Sequence, residues 1–206
     1  MKIAKDAVSF LIPLCLIAGL LFLSGFLLTG LFFLALAVFV SFFFRDPNRD
    51  IPKNKDTILS PADGRILEVS RESDGTTKVS IFLSIWNVHI NRSPIAGTVA
   101  EVCYFPGKFR MAFDKRASID NEQNVLVIKN SFFKVKFIQI AGLLARRIVC
   151  WKKQGDSVDI GERIGLIRFG SRVDIFLPAT ATITVGQGHK VQGGITVIGR
   201  VGRGAE

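Results

Sequence analysis

Three side chains in this sequence have the types needed for a base-assisted nucleophile: a serine, a histidine and an aspartate. In chain order they are Asp63 in SPADG, His89 in VSIFLSIWNVHINRSP and Ser171 in LIRFGSRVDIFLP. In such a set the imidazole takes the hydroxyl proton and the carboxylate orients the imidazole. Spacing along the chain does not show whether the three side chains meet, so each also has a simpler interpretation.

The simpler interpretation is structural for each residue. Gly170-Ser171 within an apolar stretch is typical of a β-bulge with a surface serine. His89 would be a half-exposed strand histidine that shares a face with two asparagines, and Asp63 would bond to its own backbone in a turn. The second histidine, His189, lies in a glycine-rich segment and is interpreted as a solvated loop residue.

The segments that carry these residues are predicted to be β strands. After about Pro52 the chain has short runs of Val, Ile and Phe between turn residues, without a long helical period. Two turn motifs recur: S-P-x-x-G at residues 60–64 and 93–97, and G-x-x-V-x-x-G at residues 155–161 and 188–194. These motifs are typical of lipoyl- and biotinyl-like hairpins. The predicted fold class is therefore mainly β, a compact β-sandwich of related hairpin units.

The N-terminal segment is of a different kind. No charged residue occurs in the 38 residues from Ala7 to Phe44. As one helix they would extend about 57 Å at 1.5 Å per residue, whereas the hydrocarbon core of a bilayer is about 30 Å thick. Two short helices, joined near Ser24-Gly25 or near residues 29–30, fit better than one.

Basic residues flank the apolar segment on both sides, as in a hairpin with both ends in the cytoplasm. A secretory signal peptide is the alternative, although its apolar region should be much shorter. A hairpin that enters the bilayer without crossing it also stays open. We therefore expect a membrane-anchoring helical hairpin at residues 1–50 and a β-rich domain at residues 51–206, at the cell membrane with the domain on the cytoplasmic side.

The formal net charge of +10 suits a protein that meets anionic lipid headgroups. Nucleic acid is another polyanion, but a single tyrosine and no interleaved basic and aromatic strand argue against it. The cysteines, Cys15, Cys103 and Cys150, are far apart and lack metal-ligand spacing. We expect free thiols in a reducing compartment and no metal site.

Several segments together resemble one family. From about Phe42 to the C-terminus the chain is similar to the pyruvoyl-dependent phosphatidylserine decarboxylases, in particular their short archaeal-type subgroup. The similar segments, in the family's order, are FFRDPNR (43–49), SPADG (60–64), FLSIWNVHINRSPIAG (82–97), NEQN (121–124), IAGLLARRIVC (140–150) and RFGSRVDIFLP (168–178). The hydrophobic N-terminus is also a property of this family.

The resemblance implies a proenzyme that cuts its own chain between Gly170 and Ser171. The Ser171 hydroxyl would attack the Gly170 carbonyl while His89, oriented by Asp63, takes its proton. The products would be a large chain ending at residue 170 and a small chain from residue 171, with a covalent pyruvoyl group derived from Ser171. This cofactor would form a Schiff base with a serine phospholipid and release carbon dioxide, giving phosphatidylethanolamine from phosphatidylserine.

The residues leave substrate preference, one motif and the assembly open. Phe169 precedes the Gly-Ser pair where many family members have leucine or glycine, although phenylalanine also occurs in the short subgroup. Trp86-Asn87 precede Val88-His89 where Pro-x is expected, so headgroup and acyl-chain preference are undecided. Asn121-Glu122 has either a structural or a catalytic role. Phosphatidylserine and ether-linked archaetidylserine are both candidate substrates. The two chains are expected to form a heterodimer, which could pair with a second copy.

A non-catalytic function is the alternative. The repeats alone favour a membrane-anchored β-sandwich that serves as a carrier or adaptor module. A carrier needs an acceptor lysine at a hairpin tip, and the C-terminal hairpin offers only Lys190. Its Gly-His-Lys-Val setting is not that of a lipoyl or biotinyl acceptor, so the decarboxylase interpretation is preferred.

Overall fold

The structure is a computed structural model that describes residues 2–54, 56–107, 121–142, 147–168 and 170–202. The chain divides into two units by its internal contacts, residues 1–48 and residues 49–206.

The first unit is a helical hairpin. Its elements are strand β1 (Lys2–Ile3), a 3-10 turn (Lys5–Ala7), helices α1 (Val8–Leu23) and α2 (Leu27–Phe43), and strand β2 (Arg45–Asp46). Because β1 and β2 pair in antiparallel fashion, the two ends of the hairpin lie together. The helices are joined at Ser24-Gly25, the first of the two predicted positions, where Gly25 has a φ of +80° that favours glycine. The predicted helical hairpin is confirmed.

Apolar side chains cover the outside of this hairpin. Leu23 and Leu28, for example, are 88% and 82% exposed. Among the described residues, the helical stretch Lys5–Leu23 is long and apolar enough to cross a membrane, while Leu27–Phe43 is shorter. An apolar surface of this kind is unfavourable in water, so the hairpin is compatible with association with a membrane.

The second unit is built from strands. They are β3 (Thr57–Leu59), β4 (Gly64–Arg71), β5 (Thr77–Leu83), β6 (Ile90–Arg92), β7 (Gly97–Phe105), β8 (Gln123–Lys129), β9 (Lys134–Ala141), β10 (Ile148–Cys150), β11 (Ser157–Val158), β12 (Arg163–Ile167), β13 (Ser171–Leu177), β14 (Ala181–Ile183), β15 (Lys190–Val191) and β16 (Val197–Val201). The largest sheet has the order β11-β7-β8-β9-β13-β5-β4-β15, and two smaller sheets have the orders β10-β12-β6 and β14-β16-β3. These pairings are antiparallel. The mainly β class predicted from the sequence is confirmed, and the sheets are compatible with a sandwich.

The repeated turn motifs form the two edges of the eight-stranded sheet. In each G-x-x-V-x-x-G motif both glycines have a positive φ: Gly155, Gly161, Gly188 and Gly194 have values of 93°, 72°, 85° and 76°. The two valines between them are buried and lie in the edge strands β11 and β15. Each edge strand pairs with a strand that begins at the glycine of an S-P-x-x-G motif, β7 or β4. The repetition in the sequence is therefore also a repetition in the structure.

Strand β13 lies inside the largest sheet, with β5 on one side and β9 on the other. Its residues Val173, Ile175 and Leu177 belong to the buried core. Ser171 lies on the same face, because side chains alternate along a strand, and its register partners are Leu83 in β5 and Ala141 in β9. The core thus extends to the first residue of β13.

Candidate active site

The Gly170-Ser171 pair joins two different sheets. Strand β12 ends at Ile167 in a three-stranded sheet, and β13 begins at Ser171 in the eight-stranded sheet. The structural alternative of a β-bulge with a surface serine is therefore wrong, because the chain changes sheet here and Ser171 is 0% exposed. Phe169, the departure noted before the Gly-Ser pair, lies outside the described residues, as do residues 143–146 of the IAGLLARRIVC segment.

Gly170 adopts a backbone conformation that favours glycine. Its φ is +63°, and a Cβ added there would meet no heavy atom within 4 Å. The requirement for glycine thus comes from the left-handed backbone, which costs other residues about 1 kcal/mol or more, and not from lack of space. The carbonyl that Ser171 would attack therefore belongs to a glycine in a left-handed conformation, which has no side chain of its own to block the approach.

The hydroxyl of Ser171 is unusual among buried polar groups. Its Oγ has no hydrogen-bond partner in the part of the chain that the structure describes. Buried side-chain oxygens are almost always hydrogen-bonded, and an unmade bond is unfavourable. An unengaged, buried hydroxyl next to a left-handed glycine suits a nucleophile better than a structural serine.

His89 lies beside this junction. The residue is only 2% exposed, so the alternative of a half-exposed strand histidine is also wrong. Nδ1 lies 2.9 Å from the carbonyl oxygen of Asn87, and Nε2 accepts a 3.4 Å hydrogen bond from the backbone N–H of Gly170. The carbonyl can only accept, so Nδ1 carries the proton and Nε2 is the unprotonated nitrogen. The basic nitrogen therefore faces the residue whose carbonyl precedes Ser171.

The turn before His89 sets the orientation of the imidazole. Asn87 Oδ1 accepts hydrogen bonds from both the backbone N–H and the hydroxyl of Ser84, at 2.9 and 2.8 Å. The side chain of Asn87 thereby closes the turn, and its backbone carbonyl is presented to Nδ1. The sequence indicated that Asn87 shares a face with His89, but not that its backbone would orient the ring. Trp86 is exposed at the tip of this turn.

The hydrogen-bond partners found for the Asp63 carboxylate are Arg49 and Gly193, and not the imidazole of His89. Its two carboxylate oxygens accept hydrogen bonds from the Arg49 guanidinium at 2.6 and 2.8 Å, and one of them also accepts the Gly193 N–H at 2.8 Å. Both side chains of the ion pair are largely buried. The structure therefore brings His89 and Ser171 to one junction, whereas Asp63 clamps the start of the second unit to the turn at Gly193. Sequence reasoning misses Arg49 as the partner of Asp63, because nothing in the spacing of FFRDPNR and SPADG indicates that the two side chains meet.

We expect this clamp to contribute strongly to stability. Replacing Asp63→Asn leaves the buried Arg49 charge without its counter-ion, which typically costs about 3–5 kcal/mol. Arg49→Gln is the matched variant, because it leaves the carboxylate unpaired instead. Thermal unfolding of both variants should show a clearly lowered midpoint, and midpoints equal to that of the unmodified protein would contradict the clamp.

Asn121 and Glu122 hold the strand beside Ser171. The Asn121 side chain donates to the carbonyl oxygen of Ala141 at 2.7 Å, and the Ala141 N–H donates to the carbonyl of Glu122 at 3.0 Å. Desolvation, and then the Glu122 carboxylate, raise the pKa of Tyr104 above its usual value. Because Ala141 is the register partner of Ser171, these contacts support a structural role for the pair, which the sequence left open.

Other features of the unit lie away from this junction. A cavity of about 620 Å³ is lined by Ile95 and the 130–132 hairpin, at the far end of β8 and β9 from Ser171. His189 is exposed in its glycine-rich turn, as predicted. Among the described residues, no group of three or more His, Cys, Asp or Glu side chains is arranged to hold a metal ion. The chemistry suggested by the geometry therefore centres on Ser171 and His89.

Comparison with known proteins gives a consistent result. The family model for phosphatidylserine decarboxylase matches residues 36–199. A protein of Desulfotalea psychrophila is 44% identical over 182 residues, covering 85% of either chain, and one of Geobacter sulfurreducens is 48% identical over 174 residues, covering 82% of this chain and 80% of its own. One of Chlorobium phaeobacteroides is 46% identical over 194 residues, covering 90% and 92%.

Each of these three relatives is named phosphatidylserine decarboxylase proenzyme. The matched region includes the buried serine, the left-handed glycine and the histidine that meet at the junction between the sheets. The resemblance noted in the sequence is thereby confirmed, and the chain belongs to the phosphatidylserine decarboxylase family.

Proposed function

We propose that this chain is made as an inactive proenzyme that cuts itself between Gly170 and Ser171 and then converts phosphatidylserine into phosphatidylethanolamine. It is an enzyme of the carboxy-lyase class, as its family is. The observation that carries the proposal is the buried Oγ of Ser171, which has no hydrogen-bond partner among the described residues, beside a glycine whose N–H donates to Nε2 of His89. The non-catalytic carrier alternative is not favoured by the relatives' names.

The proposed cut involves Ser171, the neighbouring Gly170 and His89, whose Nε2 lies 3.4 Å from the Gly170 nitrogen. Oγ of Ser171 attacks the Gly170 carbonyl carbon, Nε2 of His89 takes the hydroxyl proton, and the bond from that carbon to the Ser171 nitrogen breaks. The nitrogen accepts the proton, so an ester replaces the amide. Loss of the Ser171 Cα proton then breaks the Cβ–Oγ bond, leaving a Gly170 carboxylate and dehydroalanine. Water converts dehydroalanine into the pyruvoyl group and ammonia.

The residues at this position fit a pyruvoyl group. When formed, it supplies a ketone that accepts the electrons released as a substrate carboxylate leaves as carbon dioxide. The chain's own contribution is to hold residue 171 in place. Backbone pairing of β13 with both β5 and β9 does this on two sides, and the buried Arg172 donates to Asp174 at 2.6 Å and to Ser80 at 2.8 Å. We propose His89 as the acid that reprotonates the substrate carbon.

The cut would not separate the two chains. The segment after residue 170 contributes β13, β15 and β16, which pair with β5 and β9, with β4 and with β3 of the segment before it. These ladders and the shared core support a heterodimer of a large chain, 1–170, and a small chain, 171–206. Association of two such heterodimers is a further proposal.

The membrane is the proposed location. The apolar outside of α1 and α2 and the net charge of +10 support anchoring of the hairpin in a bilayer with anionic lipids. We propose that both ends of the hairpin, which are paired through β1 and β2, face the cytoplasm together with the second unit. Division into an anchor at 1–50 and a decarboxylase domain at 51–206 is part of the same proposal.

The substrate is tested with detergent-solubilised protein and mixed lipid vesicles. We expect phosphatidylserine to be consumed with equal formation of phosphatidylethanolamine, measured by mass spectrometry of the lipid extract, and with release of carbon dioxide, measured in the gas above the reaction. Archaetidylserine is tested in separate vesicles, and comparison of the two rates shows whether the protein prefers the ester-linked or the ether-linked lipid. Phosphatidylcholine is the control, because it has no carboxylate to lose. A cut protein that leaves both serine lipids unchanged would contradict the proposed reaction.

A further inference from the structure

Asn91 is a fully buried amide whose orientation is defined by its neighbours. Its Oδ1 accepts a 2.8 Å hydrogen bond from Gln139 Nε2, and Gln139 Oε1 accepts one of 2.8 Å from Asn124 Nδ2. The nitrogen Nδ2 of Asn91, in contrast, has no hydrogen-bond partner among the residues that the structure describes. The interior of the unit therefore contains an unused N–H donor that its neighbours hold in one orientation.

This donor belongs to the same segment as His89. Asn91 follows His89 by two positions, in β6, so the two side chains lie on the same side of the chain. His89 reaches the residue before Ser171, while Asn91 reaches Gln139, the register partner of Val173. Ser171 lies between Gly170 and Val173 along the chain, so His89 contacts the residue on one side of it, and Asn91 is connected through Gln139 to the residue pair on the other side.

Nδ2 of Asn91 and Oγ of Ser171 are thus two buried polar atoms that lack hydrogen-bond partners in the described part of the chain. A buried donor that stays unpaired is unfavourable, unless its bond is made in another state of the protein. A donor that gains its partner only when charge develops lowers the barrier of a reaction without stabilising the ground state. Self-cleavage creates such a charge on a carbonyl oxygen.

We propose that the side-chain N–H of Asn91 binds the oxyanion that forms on the Gly170 carbonyl oxygen during self-cleavage. The inference rests on the proposed cut at this bond. As Oγ bonds to the carbonyl carbon, the carbonyl electron pair moves onto its oxygen, and His89 holds the hydroxyl proton. Asn91 then donates to that oxygen. When the pair returns, the Ser171 nitrogen leaves and takes the proton from His89.

The test follows the first appearance of the small chain during cell-free synthesis of the full-length protein with a short radioactive pulse. Asn91→Ala should slow cutting about 10²–10³-fold, as loss of one oxyanion donor does in other enzymes. Asn124→Ala is the matched control, because it breaks the same amide chain one step further away and leaves Asn91 in place. It should cut within a few-fold of the unmodified rate. Thermal unfolding is measured for both variants.

A second variant separates the donor role from packing. Asn91→Asp keeps the shape of the side chain but replaces the N–H donor by an oxygen. A role in packing requires Asn91→Asp to cut faster than Asn91→Ala. A role as oxyanion donor requires it to cut no faster, since a carboxylate repels the developing charge. Added hydroxylamine, which cleaves esters, should not restore cutting in either variant, because the ester has not formed.

The outcomes distinguish this inference from the proposed function. An unmodified chain that never cuts contradicts the proposed self-cleavage itself. An unmodified chain that cuts, with Asn91→Ala or Asn91→Asp cutting at the same rate, contradicts the role of Asn91 alone. Cutting of Asn91→Ala that hydroxylamine restores also contradicts it, since the slow step would then follow ester formation.

Discussion

Replacing Ser171→Ala should yield one uncut chain of 206 residues and no decarboxylation. The methyl group offers no oxygen to attack the Gly170 carbonyl, and no pyruvoyl group can form from alanine. The fold should be retained, because Oγ of Ser171 makes no hydrogen bond in the described part of the chain that the change would remove. Denaturing electrophoresis and intact mass measure the cut, and thermal unfolding measures the fold.

The matched control for this change is Ser157→Ala, which alters an exposed serine in the edge strand β11. It should be cut as the unmodified protein is, into chains that end at residue 170 and begin at residue 171. Two chains of these masses from Ser171→Ala would mean that another group attacks the bond. A strongly lowered unfolding midpoint would mean that the hydroxyl has a structural role.

The turns and strands could be predicted from the sequence where local rules decide them. The glycines of the G-x-x-V-x-x-G motifs have positive φ values because tight turns require them, and the valine between them is buried in an edge strand in both copies. The helical hairpin could be predicted because the 38-residue apolar segment is too long to cross a bilayer as one straight helix. In the first case the signal lies within a few neighbouring residues, and in the second it is the length of the apolar segment.

The contacts of Asp63 could not be predicted in this way. Its partner Arg49 is 14 residues earlier, and Gly193 is 130 residues later. Only the packing of the whole unit brings them together. The same holds for the Gly170-Ser171 pair, which looks like a bulge because apolar residues on both sides are equally suited to one strand. The pairing of β12 and β13 with different sheets is a property of topology that alternation along the chain does not encode.

The Asp63 clamp affects how its variants should be interpreted. Slow cutting in Asp63→Asn alone would not assign the carboxylate to catalysis, because the variant also loses the buried ion pair. The comparison with Arg49→Gln resolves this. Slower cutting in Asp63→Asn than in Arg49→Gln, at similar stability, supports the proposed orienting role for Asp63. Equal rates assign the residue to the clamp, and the Asn87 carbonyl then orients His89 without it.

His89→Gln should slow self-cleavage by about 10²–10⁴-fold, the usual contribution of a general base. Glutamine has a similar length and retains hydrogen-bonding groups, but it cannot take a proton from the Ser171 hydroxyl. The uncut chain should therefore accumulate during synthesis, as measured by denaturing electrophoresis at fixed times. Because His89 bonds to Asn87 and to Gly170, the unfolding midpoint is measured alongside.

His189→Gln is the control, because it makes the same change in the second histidine of the sequence, which lies exposed in a turn. It should cut at the unmodified rate. If His89→Gln folds and also cuts at that rate, the imidazole is not the base, and Nε2 only accepts the Gly170 N–H to hold the left-handed turn. The left-handed conformation of Gly170 would then be what makes the Gly170–Ser171 bond reactive, and the proton of the Ser171 hydroxyl would pass to another acceptor. A loss confined to His89→Gln, with its unfolding midpoint retained, instead supports the imidazole of His89 as the base.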